Sequence, residues 1–198
     1  MFRTLFAAAL IATAPYAAPA SADTAAFSCP AKGTVIMTTD GDLIEHQGQT
    51  SASYATICRY RLNRRPQKSL FGGLWTGDAS TANIGRMRDI VANLYPLAVG
   101  SVATGTVYED QDGYVWFQRF KVVRTETVRI GDTIMEAFVI EHTETSTSGN
   151  TELLTTHWQT HDGLIVKQTS QRIRGNYVGP TAQVQSWEAE SITLPPSP

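Results

Sequence analysis

The chain has 198 residues, with 16 basic and 18 acidic side chains and a formal net charge of −2 at pH 7. This length favours one domain with a sizeable core and is marginal for two. Because the charge balance is slightly acidic, the composition disfavours nucleic acid as a partner.

The first residues have the pattern of a secretory signal peptide. Arg3 supplies a positive start, an apolar stretch runs from Leu5 to Ala14, and Ala20-Ser21-Ala22 has the small residues that signal peptidase requires. The apolar stretch is too short to span a bilayer. We therefore predict cleavage after Ala22 and export of the mature protein, which would be periplasmic or secreted.

The predicted domain organisation follows from this boundary. Residues 1–22 are the signal peptide, residues 23–194 form a single β-rich domain, and residues 195–198 are a proline-ending disordered tail. No stretch of the mature part approaches about 18 consecutive apolar residues, so we expect no transmembrane segment there.

The chain contains two cysteines, Cys29 and Cys58, and both lie in the predicted mature part. An even number of cysteines in an exported chain favours a disulfide over two free thiols. We therefore predict a Cys29–Cys58 bridge that holds the N-terminal part of the domain together.

Three short N-terminal strands are predicted at 34–38, 43–46 and 53–62, with a turn at Thr39–Asp42 between the first two. They would extend the main sheet. Five cations lie within ten residues at the end of the third predicted strand and just after it: Arg59, Arg61, Arg64, Arg65 and Lys68.

These cations allow two interpretations. The functional one is a patch for an anionic headgroup, a lipopolysaccharide phosphate or a cell-wall carboxylate, since guanidinium groups bind such groups through paired hydrogen bonds. The alternative is a solvated strand end and loop, with Arg59 and Arg61 on one face of the strand. The sequence leaves both open.

One amphipathic helix is predicted between 79 and 97. Ser80 or Thr81 can cap its start, and Pro96 ends it, because the residue before a proline is biased away from helical backbone angles. Its apolar residues recur at helical spacing along one stripe. They are Ile84, Met87, Ile90, Val91 and Leu94.

The rest of the chain predicts a β-meander. Strands are expected at 102–109, 113–123, 133–143, 152–160, 164–174 and 181–193, separated by short turns that indicate antiparallel pairing. In the second of these, Tyr114, Trp116, Phe120 and Val122 share one parity. The predicted fold class is mainly β, a curved antiparallel sheet or half-barrel with one amphipathic helix packed on it.

Four aromatic residues of the meander are candidates for an apolar ligand face: Trp116, Phe120, Phe138 and Trp158. Aromatic residues more often fill a core than line a ligand site. However, a single helix cannot obviously cover a sheet of seven or more strands. Uncovered apolar surface would form a groove, an interface or a core for the N-terminal strands.

No motif predicts catalysis or a metal. His157 and His161 are four residues apart, which on a strand separates them by roughly 13 Å, too far to share one zinc ion. We expect both to be surface or turn histidines. Glu136 interrupts an apolar run and is the acid that we would inspect first, with a rim or ion-paired position as its simpler interpretation. We predict no cofactor, no metal and no catalytic residue.

Part of the chain resembles a known group of proteins. Pro96–Gly100 enters the meander, Gly131 anchors a turn into an apolar strand, and Trp158 is followed by Asp162–Lys167. Over about 95–170, this arrangement is similar to uncharacterised secreted bacterial domains related to periplasmic lipoprotein carriers and outer-membrane lipoprotein receptors. The resemblance implies a half-barrel sheet whose concave face holds acyl chains beneath a helix.

Together these patterns predict a non-enzymatic periplasmic protein that binds an apolar or amphipathic, lipid-like envelope component on a concave sheet face, with the cations at its rim. The alternative is a structural or assembly protein that docks onto an envelope protein through an exposed sheet edge or face. An enzyme of unknown class is the third hypothesis, because a catalytic site can be assembled from distant residues. The oligomeric state is left open.

Overall fold

The computed structural model describes residues 27–51, 55–76, 81–108, 115–148, 150–175 and 186–196. The predicted signal peptide at 1–22 lies outside these residues, as does Tyr114. Within the described part of the chain, no helix is long and apolar enough to cross a membrane.

The structure is mainly β, as predicted, with ten strands in one antiparallel sheet and a single α-helix among the described residues. The helix α1 spans Thr81–Ala92, and a short 3₁₀ turn spans Phe71–Gly73. The strands are β1 (Val35–Thr38), β2 (Leu43–Gln49), β3 (Ile57–Leu62), β4 (Arg65–Leu70), β5 (Val102–Tyr108), β6 (Val115–Ile130), β7 (Thr133–Ser146), β8 (Glu152–Thr160), β9 (Ile165–Arg174) and β10 (Trp187–Thr193).

The strand order is β4-β3-β2-β1-β10-β9-β8-β7-β6-β5. Two consecutive meanders, β1 to β4 and β5 to β10, are therefore joined where β1 pairs with β10, as in Ile36 opposite Ile192. Over the described residues the sheet is open, with β4 and β5 as its edges. The N-terminal strands thus extend the main sheet, as predicted.

Strand β6 shows how alternation builds this sheet. Trp116, Phe120 and Val122 are buried, while Arg119 and Lys121 are partly exposed, which confirms the predicted parity. A β-bulge then interrupts the pairing with β7 between Val122 and Arg124. Because a bulge inserts one residue, the even-numbered side chains beyond it point to the opposite face of the sheet.

One face of the sheet is covered by α1 and the 3₁₀ turn, and we call its buried residues the helix core. Met87, Val91 and Leu94 from the helical segment are at most 1% exposed. They pack with Phe120, Val122, Phe138 and Ile140 of β6 and β7. The predicted helical stripe therefore faces the sheet, and α1 ends at Ala92, ahead of Pro96, the predicted helix stop.

Helix α1 approaches β5 closely at Gly105. A methyl group on this glycine would lie 2.3 Å from Cγ1 and 2.4 Å from Cδ1 of Ile90, so the contact depends on the missing side chain. At Gly85 of α1, no heavy atom other than those of the adjacent residues and the helix backbone lies within 4 Å of the corresponding position. The two glycines therefore differ in what an added methyl group would meet.

We expect Gly105→Ala to lower the free energy of unfolding by about 1–3 kcal/mol, because Ile90 must shift within a packed core. Gly85→Ala should raise it by up to about 1 kcal/mol, since alanine has the higher helix propensity. Urea unfolding followed by circular dichroism measures both. Equal effects of the two substitutions would contradict the close packing of α1 on β5.

The opposite face carries a second core. Val128 and Ile130 from beyond the bulge pack with Trp158, Val166 and Ala189. The end of β6 contacts β10 although three strands lie between them in the sheet, so the sheet coils around this second core. Apolar side chains from β1, β6, β7, β8, β9 and β10 fill the space inside this coiled sheet.

The predicted disulfide is confirmed. Cys29 and Cys58 are bonded, with their α-carbons 5.4 Å apart. The bridge joins the segment before β1 to the start of β3, and Phe27 packs against Phe71 with the ring centroids 5.0 Å apart. The N-terminal segment is therefore held against the end of the sheet that contains β3 and β4.

Candidate functional site

A groove of about 990 Å³ lies beside β3 and β4. Its charged wall consists of Lys32, Arg59, Arg61 and Lys68, and its apolar wall consists of Ile57, Leu70, Trp75 and Ile84. Among the described residues, no carboxylate lines it. We call these eight residues and the space between them the cationic groove.

The hairpin of β3 and β4 turns within two residues. Asn63 and Arg64 have φ angles of 50° and 70°, which give the tight turn that matches the twist of an antiparallel pair. Asn63 also joins the turn to the start of β2, since its Oδ1 accepts from the Leu43 amide at 2.9 Å and its Nδ2 donates to Asp42 at 2.6 Å. Asparagine is usual at the first position of such a turn, whereas Arg64 occupies the second position, where glycine is usual.

The register of the hairpin brings the cations together. Arg59 lies opposite Lys68, and Arg61 lies opposite Pro66, so all three cations share one face. Arg61 has a carboxylate partner, Glu45, at 3.7 Å. Among the described residues, neither Arg59 nor Lys68 has a carboxylate within salt-bridge distance. Like charges directly opposite on neighbouring strands repel, and an anion between them would relieve the repulsion.

The apolar wall is formed where the hairpin meets the helix. Ile57 lies opposite Leu70, and the Leu70 amide donates to the Trp75 carbonyl at 2.9 Å. Ile57, Trp75 and Ile84 are partly buried and pack against the helix core. They therefore present a half-exposed apolar surface directly beside the cations.

A buried hydrogen-bond network fixes the segment that carries Trp75. The Gln159 side chain donates to the Phe71 carbonyl at 2.7 Å and accepts from the Tyr95 hydroxyl at 2.5 Å. Burial raises the pKa of Tyr95 well above its usual range. Because the network joins β8 to the 3₁₀ turn and to the segment that follows α1, it holds the 3₁₀ turn in place.

The predicted cation patch is divided by the structure. Arg59, Arg61 and Lys68 line the groove, whereas Arg64 and Arg65 are exposed at the hairpin end and do not line it. Sequence reasoning did not identify the fourth cation of the groove, Lys32. The disulfide was the available signal, because Lys32 follows Cys29 by three residues and is held beside β3 with it.

The aromatic residues predicted as an apolar ligand face are buried in different places. Trp116, Phe120, Phe138 and Trp158 are 6%, 0%, 8% and 7% exposed. Phe120 and Phe138 belong to the helix core, and Trp158 belongs to the second core. They are separated because the sheet is covered on one face by α1 and on the other by its own coil, so they share no exposed face.

The histidines fall into two groups. His161 is exposed and lies 3.7 Å from Glu136, in agreement with the turn and ion-pair interpretations. His157 is only 3% exposed, so its predicted surface position is wrong. It faces His142, whose Nε2 is 2.6 Å from Gln118 Oε1. Neither ring nitrogen of His157, Nδ1 or Nε2, has a hydrogen-bond partner among the described residues.

The described residues contain no group of three histidine, cysteine or acidic side chains arranged to hold a metal ion. The cationic groove is the best candidate for a functional site, because its side chains can bind an anion beside an apolar surface. The resemblance to carrier-like sheets stays an expectation. Compared with known proteins, the chain has no significant match to a family model, to a curated protein or to a solved structure.

Proposed function

We propose that the protein is a non-enzymatic, exported binding protein for an amphipathic envelope component with an anionic headgroup, and that the cationic groove is its binding site. The observation that carries this proposal is a groove in which the described residues supply four cations and no carboxylate beside an apolar wall. The volume of about 990 Å³ lies at the upper end of the usual range for ligand pockets.

The two walls divide the binding between two kinds of interaction. Arg59 and Lys68 can form charge-assisted hydrogen bonds to a phosphate or carboxylate, which are stronger than bonds between neutral groups. Trp75 and Ile84 offer apolar surface to an acyl chain, and burying such surface is favourable by about 25 cal/mol per Å². An amphipathic anion satisfies both walls, whereas a small inorganic anion satisfies one.

Export is the second part of the proposal. The predicted signal peptide and the Cys29–Cys58 disulfide support it, because disulfides persist in oxidising compartments such as the periplasm. A lipid-like component of the bacterial envelope is the amphipathic anion that such a protein would meet.

We expect dihexanoyl phosphatidylglycerol to bind to the mature protein, and the double variant Arg59→Gln/Lys68→Gln to weaken that binding about tenfold or more through loss of charge-assisted contacts. Isothermal titration calorimetry measures the affinity. The matched control is Arg64→Gln/Arg65→Gln, which removes the same charge outside the groove and should bind as the wild type does. Equal weakening in both variants would show a general charge effect and would contradict the groove.

A second candidate function is docking onto an envelope protein. Edge strand β5 contains no charged residue and no proline, whereas the other edge, β4, contains Arg65, Pro66 and Lys68. Uncharged edges can pair with a strand of another protein. This function predicts that the wild type binds no short-chain anionic lipid in the same titration.

A further inference from the structure

The four cations of the cationic groove differ in whether a carboxylate already neutralises them. The Arg61 guanidinium lies 3.7 Å from the Glu45 carboxylate, so this pair brings little net charge to the groove. Among the described residues, Lys32, Arg59 and Lys68 have no carboxylate within salt-bridge distance, and all three are exposed. The described part of the groove therefore presents three uncompensated positive charges to a ligand.

These three charges form a row across the sheet. Arg59 lies opposite Lys68 of β4 on one side and opposite Gly48 of β2 on the other. The Cβ atom of Lys32 lies 3.7 Å from the position that a Cβ atom on Gly48 would occupy, and Lys32 lines the groove together with Arg59. The order across the sheet is therefore Lys32, Arg59, Lys68, and we call these three residues the cation row.

The apolar wall follows the cation row on the same face of the hairpin. Ile57 of β3 lies opposite Leu70 of β4. This pair is two residues along the strands from Arg59 and Lys68, so alternation puts both pairs on one face, roughly 7 Å apart at about 3.3 Å per residue. Trp75 extends the apolar surface beyond Leu70, with which it forms a β-bridge. A ligand that lies on this one face reaches both walls.

The cation row restricts the charge and the length of the headgroup. A row of three cations has two gaps, and like charges on neighbouring strands repel unless an anionic group lies between them. A phosphodiester fills one gap with one negative charge, whereas a diphosphate fills both gaps with two or three. Neighbouring strands are about 4.8 Å apart, so the row spans roughly 10 Å or more, which is longer than a single phosphate group.

We propose that the cationic groove binds a diphosphate ester of an apolar alcohol, with the chain-bearing phosphate between Arg59 and Lys68 and the terminal phosphate between Arg59 and Lys32. The order of the two phosphates follows from the apolar wall, because Leu70 and Trp75 lie on the Lys68 side of the row. The inference rests on the proposed function of the groove. It names the ligand class as a lipid diphosphate and makes Lys32 the residue that distinguishes a diphosphate from a monophosphate.

The test compares farnesyl diphosphate with farnesyl monophosphate, which have the same apolar chain and differ by one phosphate. Isothermal titration calorimetry with the wild-type protein measures both affinities, in a buffer with EDTA because divalent cations bind diphosphates. We expect the diphosphate to bind about tenfold more tightly or better, since the second phosphate adds charge-assisted hydrogen bonds to those of the first.

The variant Lys32→Gln should weaken binding of the diphosphate about tenfold and leave the affinity for the monophosphate unchanged. The matched control is Arg65→Gln, because Arg65 is an odd-numbered residue of β4 on the face opposite Lys68 and does not line the groove. It should keep the wild-type preference. Both side chains are exposed, so we expect both variants to give the wild-type near-ultraviolet circular dichroism spectrum. A preference that survives Lys32→Gln, or that Arg65→Gln lowers equally, would overturn the assignment of the terminal phosphate.

The same titrations separate this inference from the proposed function. Equal affinity of the wild type for the two farnesyl probes would overturn the diphosphate and leave the groove as a site for anionic lipids, whereas binding of neither probe would overturn the groove itself. Inorganic pyrophosphate has both phosphates but no apolar chain. It should bind about tenfold more weakly than farnesyl diphosphate or worse, because it leaves the apolar wall uncovered. Equal affinity would identify a free diphosphate as the ligand and overturn the lipid.

Discussion

The free energy of unfolding should fall steeply as the pH is lowered from 7 to 4. Burial lowers the pKa of His46 and of His157 to about 4, from an ordinary value of 6.5. Between these values the unfolded chain binds protons that the folded protein excludes, so acid favours the unfolded state. The stabilisation is fully present above pH 6.5 and is lost as the pH falls towards 4.

The expected loss of unfolding free energy between pH 7 and 4 is large for a protein of this size. A pKa difference of one corresponds to about 1.4 kcal/mol, so each of the two histidines should cost about 3 kcal/mol of stability at pH 4. His142 acts in the same direction, since burial and then the charge of His157 lower its pKa well below 6.5. The total is comparable to the whole stability of many domains.

Urea unfolding at several pH values measures this loss, and His157→Leu tests its origin. Leucine leaves no buried imidazole to protonate, so the loss between pH 7 and 4 should be smaller in this variant. His161→Leu is the control, because the His161 side chain is 66% exposed. If the His157 variant lost stability in parallel with the wild type at every pH, the buried imidazole would not be the cause.

How far the sequence predicts this fold is clearest in β6. Alternation predicts the buried parity of Trp116, Phe120 and Val122, because a half-buried strand must repeat every two residues. Alternation does not reveal the bulge after Val122, since even-numbered residues such as Val128 are buried on both sides of it. The bulge changes which face they occupy, and only the pairing with β7 shows that change.

Strand β4 was not predicted, for a related reason. Its residues Arg65–Lys68 are exposed and include a proline, so they carry no apolar alternation. They are tolerated because β4 is an edge strand, where proline and lysine hinder pairing with other chains. Pairing with β3 makes it a strand, and the two-residue turn at Asn63 and Arg64 lacks the glycine that would have indicated a hairpin.

The candidate site was predicted in part. The density of cations around Arg59 is visible in the sequence, and the register then places Lys68 opposite it. The apolar wall could not be found in this way, because Trp75 and Ile84 come from separate segments that only the packing of α1 brings together. The burial of His46 was not predicted either, because a buried histidine has the same sequence pattern as an exposed one.

Apart from acid pH, removal of the disulfide should have the largest effect on the free energy of unfolding. The bridge closes a loop with a sequence separation of 29, for which the chain-entropy model gives about 3.5 kcal/mol of stabilisation. We therefore expect Cys29→Ala/Cys58→Ala to lower the free energy of unfolding by that amount in urea. Addition of a reductant should lower the stability of the wild type to a similar value and leave the variant unchanged.

The same variant separates an effect on the unfolded chain from damage to the native sheet. Without the cross-link the unfolded chain exposes more surface, so the dependence of the unfolding free energy on urea should become steeper. Phe27 still contacts Phe71 and Tyr95, which keeps the N-terminal segment in place and Lys32 near the groove. The variant should therefore bind anionic lipid with nearly wild-type affinity. Lost binding with an unchanged urea dependence would instead mean that the bridge mainly positions the groove.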